Sequence, residues 1–196
     1  MITLRQLVTH FGKPGRVDAI FLRPGRKQRA VAVERTEAMV GLGLAGDRSA
    51  AARQADSKRR RQVTLIQAEH LAAVASLLGK SAIDPADLRR NIVVSGLNLL
   101  AARSPIRDQA MQLVFGSTPD ASSNLVFEVT GPCEPCSAME TALGFGGYNA
   151  MRGHGGITAK VLRAGWVEVG MSVWVVESAD AQTPDSSRRS PPTQTP

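Results

Sequence analysis

The chain has 196 residues, of which 43% are hydrophobic and 4% aromatic, and its formal net charge at pH 7 is +7. It has no apolar run near the ~18 residues that a membrane span needs, no apolar leader, and two cysteines, too few for a secreted disulfide framework. We therefore expect a single cytoplasmic domain over residues 1–177, without a membrane span. The positive charge predicts an anionic partner, such as a cofactor phosphate, a nucleic acid or a membrane surface.

Short apolar runs separated by Gly, Pro and Ser predict many short strands. The predicted strands lie at residues 17–22, 30–33, 63–66, 91–94, 111–115, 125–129, 157–162, 166–169 and 172–176. The first two flank a basic, turn-rich link and predict a β-hairpin. Many short strands with few helices indicate a β-barrel decorated by short helices, so the predicted fold is mainly β with a few helices (α+β).

Three helices are predicted among these strands. Apolar residues recur at helical spacing between residues 71 and 78, and Gly79 then ends the helix. Asp84 is a capping residue and Pro85 suits the first turn, so a second, short helix begins there. A third helix is predicted over residues 137–143. Residues 178–196 have no apolar side chain beyond Ala and are predicted to form a disordered tail.

The cysteines, Cys133 and Cys136, share the loop 131–136, Gly-Pro-Cys-Glu-Pro-Cys. Cys136 precedes a predicted helix, where unpaired N–H groups favour a thiolate, which is both a nucleophile and a metal ligand. A thioredoxin-like disulfide would need a βαβ context that the following glycine-rich segment does not supply. Structural zinc would need four ligands, and the histidines are scattered at His10, His70 and His154. Two buried cysteines packed as small hydrophobic residues are the remaining alternative.

Two further motifs suggest phosphate or nucleic acid. Residues 41–46 match G-x-G-x-x-G, yet polar segments stand on both sides where a dinucleotide site needs a strand and a helix. We interpret this loop as one that carries Asp47 and Arg48 to a site. The basic tract 58–61 lacks the neighbouring aromatic residues that single-strand binding requires. It is interpreted as a solvated loop or a phosphate contact, and no nucleic-acid partner is predicted.

Five segments together resemble the MOSC domain, the module named for the C-terminal domain of molybdenum cofactor sulfurases. They are residues 43–48 (GLAGDR), 61–65 (RQVTL), 88–96 (LRRNIVVSG), 135–136 (PC) and 152–161 (RGHGGITAKV). Their order and spacing are those of the family, from about Arg16 to Val176. The resemblance implies a MOSC-type β-barrel that holds a molybdenum–pterin cofactor and uses one cysteine as a metal ligand or a sulfur carrier.

Carried over by position, the family cysteine falls on Cys136, and Cys133 has no assigned role. The resemblance implies catalytic roles for Cys136 and Asp47 and metal ligation by Cys136. It implies cofactor binding by Arg48, Arg61, Arg90, Asn91, Arg152, Gly155 and Gly156. Forked guanidinium groups suit the cofactor's phosphate, and a soft thiolate suits molybdenum. Arg48 stands where relatives often carry His, which affects substrate choice.

Stand-alone relatives include reductases of N-hydroxylated bases and amidoximes. The resemblance therefore implies a molybdenum-dependent oxidoreductase acting on a small-molecule substrate. Because no flavin-binding or ferredoxin-like region is present in the sequence, a redox partner protein would supply the electrons. The alternative is a sulfur transferase in which Cys136 carries a persulfide to a cofactor or partner. A third hypothesis is a β-barrel binding module that has lost its chemistry.

Overall fold

The computed structural model describes residues 1–26, 28–51 and 54–178. Its strands are β1 Gly15–Leu22, β2 Val31–Val33, β3 Arg35–Met39, β4 Gly43–Leu44, β5 Val63–Gln67, β6 Ile92–Ser95, β7 Met111–Phe115, β8 Leu125–Pro132, β9 Ile157–Arg163, β10 Gly165–Glu168 and β11 Ser172–Glu177. Its helices are α1 Leu4–Leu7, α2 Arg48–Ala51, α3 Ala68–Leu77, α4 Ser137–Leu143 and α5 Gly147–Ala150, with a 3-10 helix at Pro85–Leu88. None of these helices has the length and apolar character that crossing a bilayer requires.

Seven strands close into a β-barrel in the order β1-β6-β5-β9-β8-β7-β11, and β11 pairs back to β1. β2 extends the sheet beyond β1, while β3, β4 and β10 form a separate small sheet. The strand pairs are antiparallel apart from β5 and β6, which run parallel and are joined through α3 and the 3-10 helix. The predicted fold, mainly β with a few helices, is confirmed.

The predicted strands and helices are all present, with small shifts at their ends. β1 and β2 form the predicted hairpin, in which Ile20 lies opposite Val33. The carboxylate of Asp84 accepts the N–H of Ala86 and caps the 3-10 helix. The sequence did not predict β3, β4, α1, α2 or α5, because these elements are too short or too polar to show an apolar period.

Ser178, the first residue of the predicted tail, is the last residue that the structure describes. Ser178 is buried, its N–H donates to the carbonyl of Ala110, and its hydroxyl accepts a hydrogen bond from the Gln112 amide. Residues 179–196, the rest of the predicted tail, lie outside the described residues.

Apolar side chains of β5 and β6 pack on both faces of the barrel wall. Leu65 and Ile92 belong to the cluster inside the barrel, whereas Ile66 and Val93 belong to a second cluster that includes residues of α3 and α4. Burial on both faces explains why these strands are nearly continuous apolar runs. α3, α4, α5 and the 3-10 helix therefore form an outer layer on this face of the barrel wall, and the cysteine loop connects β8 to this layer.

The glycines that precede β9 provide a matched pair for testing backbone packing. Both have left-handed backbones, with φ of +82° at Gly156 and +78° at Gly153. A Cβ at Gly156 would overlap the carbonyl oxygen of Leu65, whereas a Cβ at Gly153 meets nothing within 4 Å. We expect Gly156→Ala to lower the free energy of unfolding by about 3 kcal/mol, since backbone strain and steric overlap add. Gly153→Ala should cost about 1 kcal/mol from strain alone. Urea denaturation measures both, and equal costs would contradict the overlap.

Candidate functional site

The cysteine loop joins the end of β8 to the start of α4. Cys136 is the N-cap residue of α4, with an extended backbone, and its carbonyl accepts the N–H of Met139. Cys136 is exposed, and Cys133 is half-buried. Cys136 therefore stands at a helix start, as predicted, and is open to a ligand from outside. Its exposure does not fit the alternative of two cysteines packed in the core.

The buried guanidinium of Arg90 holds the cysteine loop in place. Arg90 is 6% exposed. Its Nε donates to the backbone carbonyl of Gly155 at 2.6 Å. Its Nη1 donates to the carbonyl of Leu88 at 3.0 Å, and its Nη2 to the carbonyl of Cys133 at 3.1 Å. Burial lowers the pKa of Arg90, but an arginine in a protein stays charged at neutral pH. One cation thus ties together the 3-10 helix, the cysteine loop and the glycine-rich segment before β9.

Gly155 and Gly156 let this glycine-rich segment run directly against the cysteine loop. The N–H of Cys133 donates to the carbonyl of Gly156 at 2.8 Å. A Cβ at Gly155 would overlap the carbonyl oxygen of Cys133. The absence of side chains at these two glycines thus lets backbone segments of the protein pack closely together. The predicted contact of the two glycines with a cofactor stays a prediction.

Asp47 is a buried carboxylate that is saturated with hydrogen bonds. It is 1% exposed and accepts from the Nε of Arg23 at 2.8 Å and from the Nη2 of Arg23 at 2.9 Å. The backbone N–H of Arg23, the N–H and hydroxyl of Ser49, and the amide of Asn91 also donate to it. Burial acts to raise the pKa of Asp47, but the hydrogen bonds from Arg23 and Ser49 outweigh it and hold the pKa well below its usual range. Asp47 fixes Arg23 and Asn91 in place, and its catalytic role stays a prediction.

Asn91 connects this carboxylate to the barrel wall. Its Oδ1 accepts from the N–H and the hydroxyl of Thr64, on β5. Its Nδ2 donates to the carbonyl of Phe21, on β1, and to Asp47 at 3.1 Å. All the side-chain polar atoms of Asn91 therefore have partners within the protein. Asn91, like Arg90, holds its neighbours in position, and the predicted cofactor contacts of both residues stay predictions.

Three other predicted cofactor ligands have unused donors. The side chains of Arg48, Arg61 and Arg152 form no hydrogen bond or ion pair within the part of the chain that the structure describes, and the Nε of Arg48 is buried without a partner. Arg61 lies close enough to the cysteine loop to affect the thiol of Cys133. Burial raises the pKa of Cys133, against the opposing charges of Arg90, Arg61 and Arg23. The structure therefore joins Arg61 to the loop electrostatically, whereas no hydrogen bond joins Arg152 to the other site residues.

Two arginines of this region were not predicted. Arg23 anchors Asp47, but in the sequence it is one basic residue in a hairpin link, with no distinguishing pattern. Arg89 ends the 3-10 helix with a left-handed backbone, φ 61° and ψ 26°. Glycine or asparagine normally occupies such a position. The sequence predicts where this short helix begins but not where it ends, so the left-handed position of Arg89 could not be recognised from the sequence.

The two histidines that the sequence places far apart meet in the fold. The rings of His70, on α3, and His154, in the glycine-rich segment, have centroids 4.8 Å apart in an edge-to-face arrangement. The Nδ1 atoms of both rings are buried without a hydrogen-bond partner. In the ranges 1–26, 28–51 and 54–178, no group of three or more His, Cys, Asp or Glu side chains is placed to hold a metal ion.

A family model of the MOSC domain matches residues 10–174. The chain belongs to the MOSC domain family. This confirms the resemblance drawn from the five sequence segments, and MOSC domains are associated in general with molybdenum-cofactor binding. A search among curated proteins finds no match.

Solved structures show the same fold as this MOSC domain at low sequence identity. The YUAD protein from Bacillus subtilis has a TM-score of 0.65 at 18% identity, over 83% of this chain and 95% of that one. YiiM from Geobacillus stearothermophilus has a TM-score of 0.61 at 16% identity, over 84% of this chain and 76% of that one. A hypothetical protein has a TM-score of 0.57 at 18% identity, over 82% of this chain and 65% of that one. At these identities the likeness shows the fold alone.

Removing the charge of Asp47 tests its role in this MOSC domain. We expect Asp47→Asn to lower the free energy of unfolding by about 3 kcal/mol, because the partly buried Arg23 guanidinium loses its counter-charge. Asp56→Asn is the control, since Asp56 is exposed and its carboxylate accepts from the N–H of Lys58. That change should cost less than about 1 kcal/mol. Urea denaturation measures the free energy of unfolding of both variants. Similar decreases in the two would show that the charge of Asp47 does not hold Arg23 in place.

The histidine pair predicts a loss of stability on mild acidification. Burial, together with the charge of His154, lowers the pKa of His70, against the opposing effect of Glu69. A folded-state pKa below the unfolded value of about 6.5 means that neutral His70 stabilises the fold above that pH. This contribution is lost as the pH falls below that value. The melting temperature should therefore fall between pH 7 and pH 5, and less steeply in His70→Gln. The exposed His10→Gln should retain the wild-type slope, and an unchanged slope in His70→Gln would contradict this origin.

Proposed function

We propose that this MOSC domain is a molybdenum-dependent enzyme that reduces the N–O bond of N-hydroxylated small molecules, with Cys136 as the protein's metal ligand. The observation that carries this proposal is the exposed position of Cys136 on a loop that the rest of the site holds in place. Arg90 donates to the carbonyl of Cys133, and the carbonyl of Gly156 accepts the N–H of Cys133, so the loop is fixed on both sides. These contacts fix the backbone at Cys133, three residues before Cys136, and so restrict where the Cys136 side chain can lie.

The residues present fit a molybdenum–pterin group. A solvent-accessible thiolate is a soft ligand that suits molybdenum. Arg48, Arg61 and Arg152 have guanidinium donors that the described protein does not use, and the orphaned Nε of Arg48 is buried. Forked guanidinium groups bind phosphate well, so these three arginines would hold the anionic part of the group. When bound, the group supplies the electron transfer to the N–O bond.

The remaining predicted residues act by positioning. Arg90 and Asn91 position the surrounding segments through their contacts with backbone carbonyls and with Asp47. Gly155 and Gly156 allow the segment before β9 to approach the cysteine loop. In this proposal, Asp47 acts on the reaction by fixing Arg23.

The proposed reaction converts an N–OH group to N–H. It consumes two electrons and two protons and releases one water molecule. We assign the electrons to a redox partner protein.

The exposure of Cys136 also favours a second candidate function. An accessible thiolate can carry a persulfide and transfer its outer sulfur to a cofactor or a partner protein. In this candidate Cys136 is again the reactive residue, and the arginines around the loop attract an anionic acceptor.

Replacing each cysteine separately tests both candidates. In protein produced in cofactor-competent cells, Cys136→Ser should lose its molybdenum, measured by elemental analysis, and its reduction of an amidoxime with a chemical reductant. The matched control Cys133→Ser should retain both, since the proposal gives the half-buried Cys133 no ligand role.

Two outcomes would change the role assigned to Cys136. Molybdenum retained by Cys136→Ser at the wild-type level would show that Cys136 is not the ligand. Thiocyanate released by cyanide from metal-free wild type, but not from Cys136→Ser, would favour the persulfide carrier over the reductase.

A further inference from the structure

A cavity of about 770 Å³ opens beside the cysteine loop, between α4 and the 3-10 helix. Its wall includes Ser137, which directly follows Cys136, and Arg89, which ends the 3-10 helix. Cavities of this size are typical of sites for small organic molecules. The cavity is thus adjacent in the chain to the residue proposed to carry the chemistry.

Among the charged residues around this cavity, Arg89 is the one whose guanidinium has no partner in the part of the chain that the structure describes. Arg29, Arg89 and Asp87 are the charged residues of its wall. The Nε of Arg29 pairs with Asp87 at 3.1 Å, and its Nη2 pairs with Asp84. Arg89 forms no side-chain hydrogen bond or ion pair with any residue that the structure describes. Asp84 and Asp87 both pair with Arg29, so the guanidinium of Arg89 is the cationic donor that remains for an anionic ligand.

The backbone of Arg89 has an unusual left-handed conformation. Within the described ranges, Arg89 is the residue other than glycine that has a positive φ. Side chains with a Cβ disfavour this left-handed conformation, and glycine or asparagine would end the helix without that cost. A strained residue whose charged group has no structural partner points to a functional role.

The opposite wall of the cavity offers neutral hydrogen-bond donors. Ser137 and Thr141 lie one turn apart on α4, so they share a face of the helix. Neither hydroxyl forms a hydrogen bond with the described part of the chain. Ala138 and Ala142, also in the wall, leave space between the hydroxyls and the 3-10 helix. Ser137 and Thr141 are both exposed, so their hydroxyls can donate to a ligand in the cavity, and an oxyanion there could also accept from the guanidinium of Arg89.

We propose that this cavity binds a carboxylate or phosphate group of the small-molecule substrate, with Arg89 as the charged contact and Ser137 and Thr141 as hydroxyl donors. Anchoring one end of the substrate in the cavity directs the other end toward Cys136. Binding of the anionic group does not need a metal. The catalytic meaning of the anchor, specificity for anionic N-hydroxylated compounds, rests on the proposed function.

Binding to metal-free protein tests the anchor directly. Calorimetric titration with benzoate and with inorganic phosphate should show binding to at least one probe by the wild type, with an affinity about tenfold lower or worse in Arg89→Gly. Arg89→Lys keeps the charge without the fork and should bind with intermediate affinity. Arg103→Ala removes an exposed arginine elsewhere and should bind as the wild type does.

The melting temperature of Arg89→Gly separates a functional residue from a structural one. Relief of the left-handed strain should leave the melting temperature unchanged or raise it by about 2–4 °C. A fall of several degrees would show that Arg89 is retained for packing and would overturn the inference. Wild-type affinity for both probes in Arg89→Gly, or absence of probe binding in the wild type, would also overturn it.

Cofactor content distinguishes the substrate from the cofactor as the source of the oxyanion. Arg89→Gly produced in cofactor-competent cells should contain the wild-type amount of molybdenum. A loss of molybdenum in this variant would place Arg89 in the cofactor site and make the substrate assignment wrong. Because the titrations use metal-free protein, they retain their meaning even if the wild type proves to hold no molybdenum and the proposed function fails.

Discussion

The three hydrogen bonds of the Arg90 guanidinium are the constraint on which the site depends. Each ends on a backbone carbonyl, and the three carbonyls belong to the 3-10 helix, the cysteine loop and the segment before β9. A buried cation with all its neighbours satisfied fixes backbone geometry firmly, whereas its removal would leave three buried acceptors unpaired. Lysine could not replace it, since one ammonium group cannot span three diverging carbonyls. The position of Cys136 therefore follows from a residue that need not touch a ligand.

A second buried charge organises the opposite side of the same region. Asp47 binds Arg23 and Asn91, and Asn91 in turn bridges β1, β5 and β6. The arginines of this region therefore fall into two groups. Arg23 and Arg90 are committed to carboxylate or carbonyl groups, while Arg48, Arg61 and Arg152 keep donors free for an anionic ligand. The net charge of +7 thus includes both structural cations and cations available for binding.

Features encoded by neighbouring residues were predictable from the sequence, and features created by distant contacts were not. The bounds of α4, the Asp84 cap and the β1–β2 hairpin depend on residues close together in the chain. By contrast, Arg90 meets Cys133 and Gly155 across 43 and 65 residues, so its sequence position among basic residues suggested a cofactor ligand and hid its carbonyl partners. The family pattern selects Cys136, whose role stays a prediction, whereas the contact of His70 with His154 could be found only from the fold.

Closure of the barrel between β1 and β11 also determines when the site can exist during synthesis. Gly15 lies opposite Val173, so the barrel cannot close until nearly all of its strands have left the ribosome. Pairings over such separations form slowly, because the entropy of closing a long loop is lost before the contacts are gained. The contacts among Arg90, Cys133 and Gly155 span part of the same interval. A cofactor that needs this arrangement can therefore bind only once β11 has paired with β1.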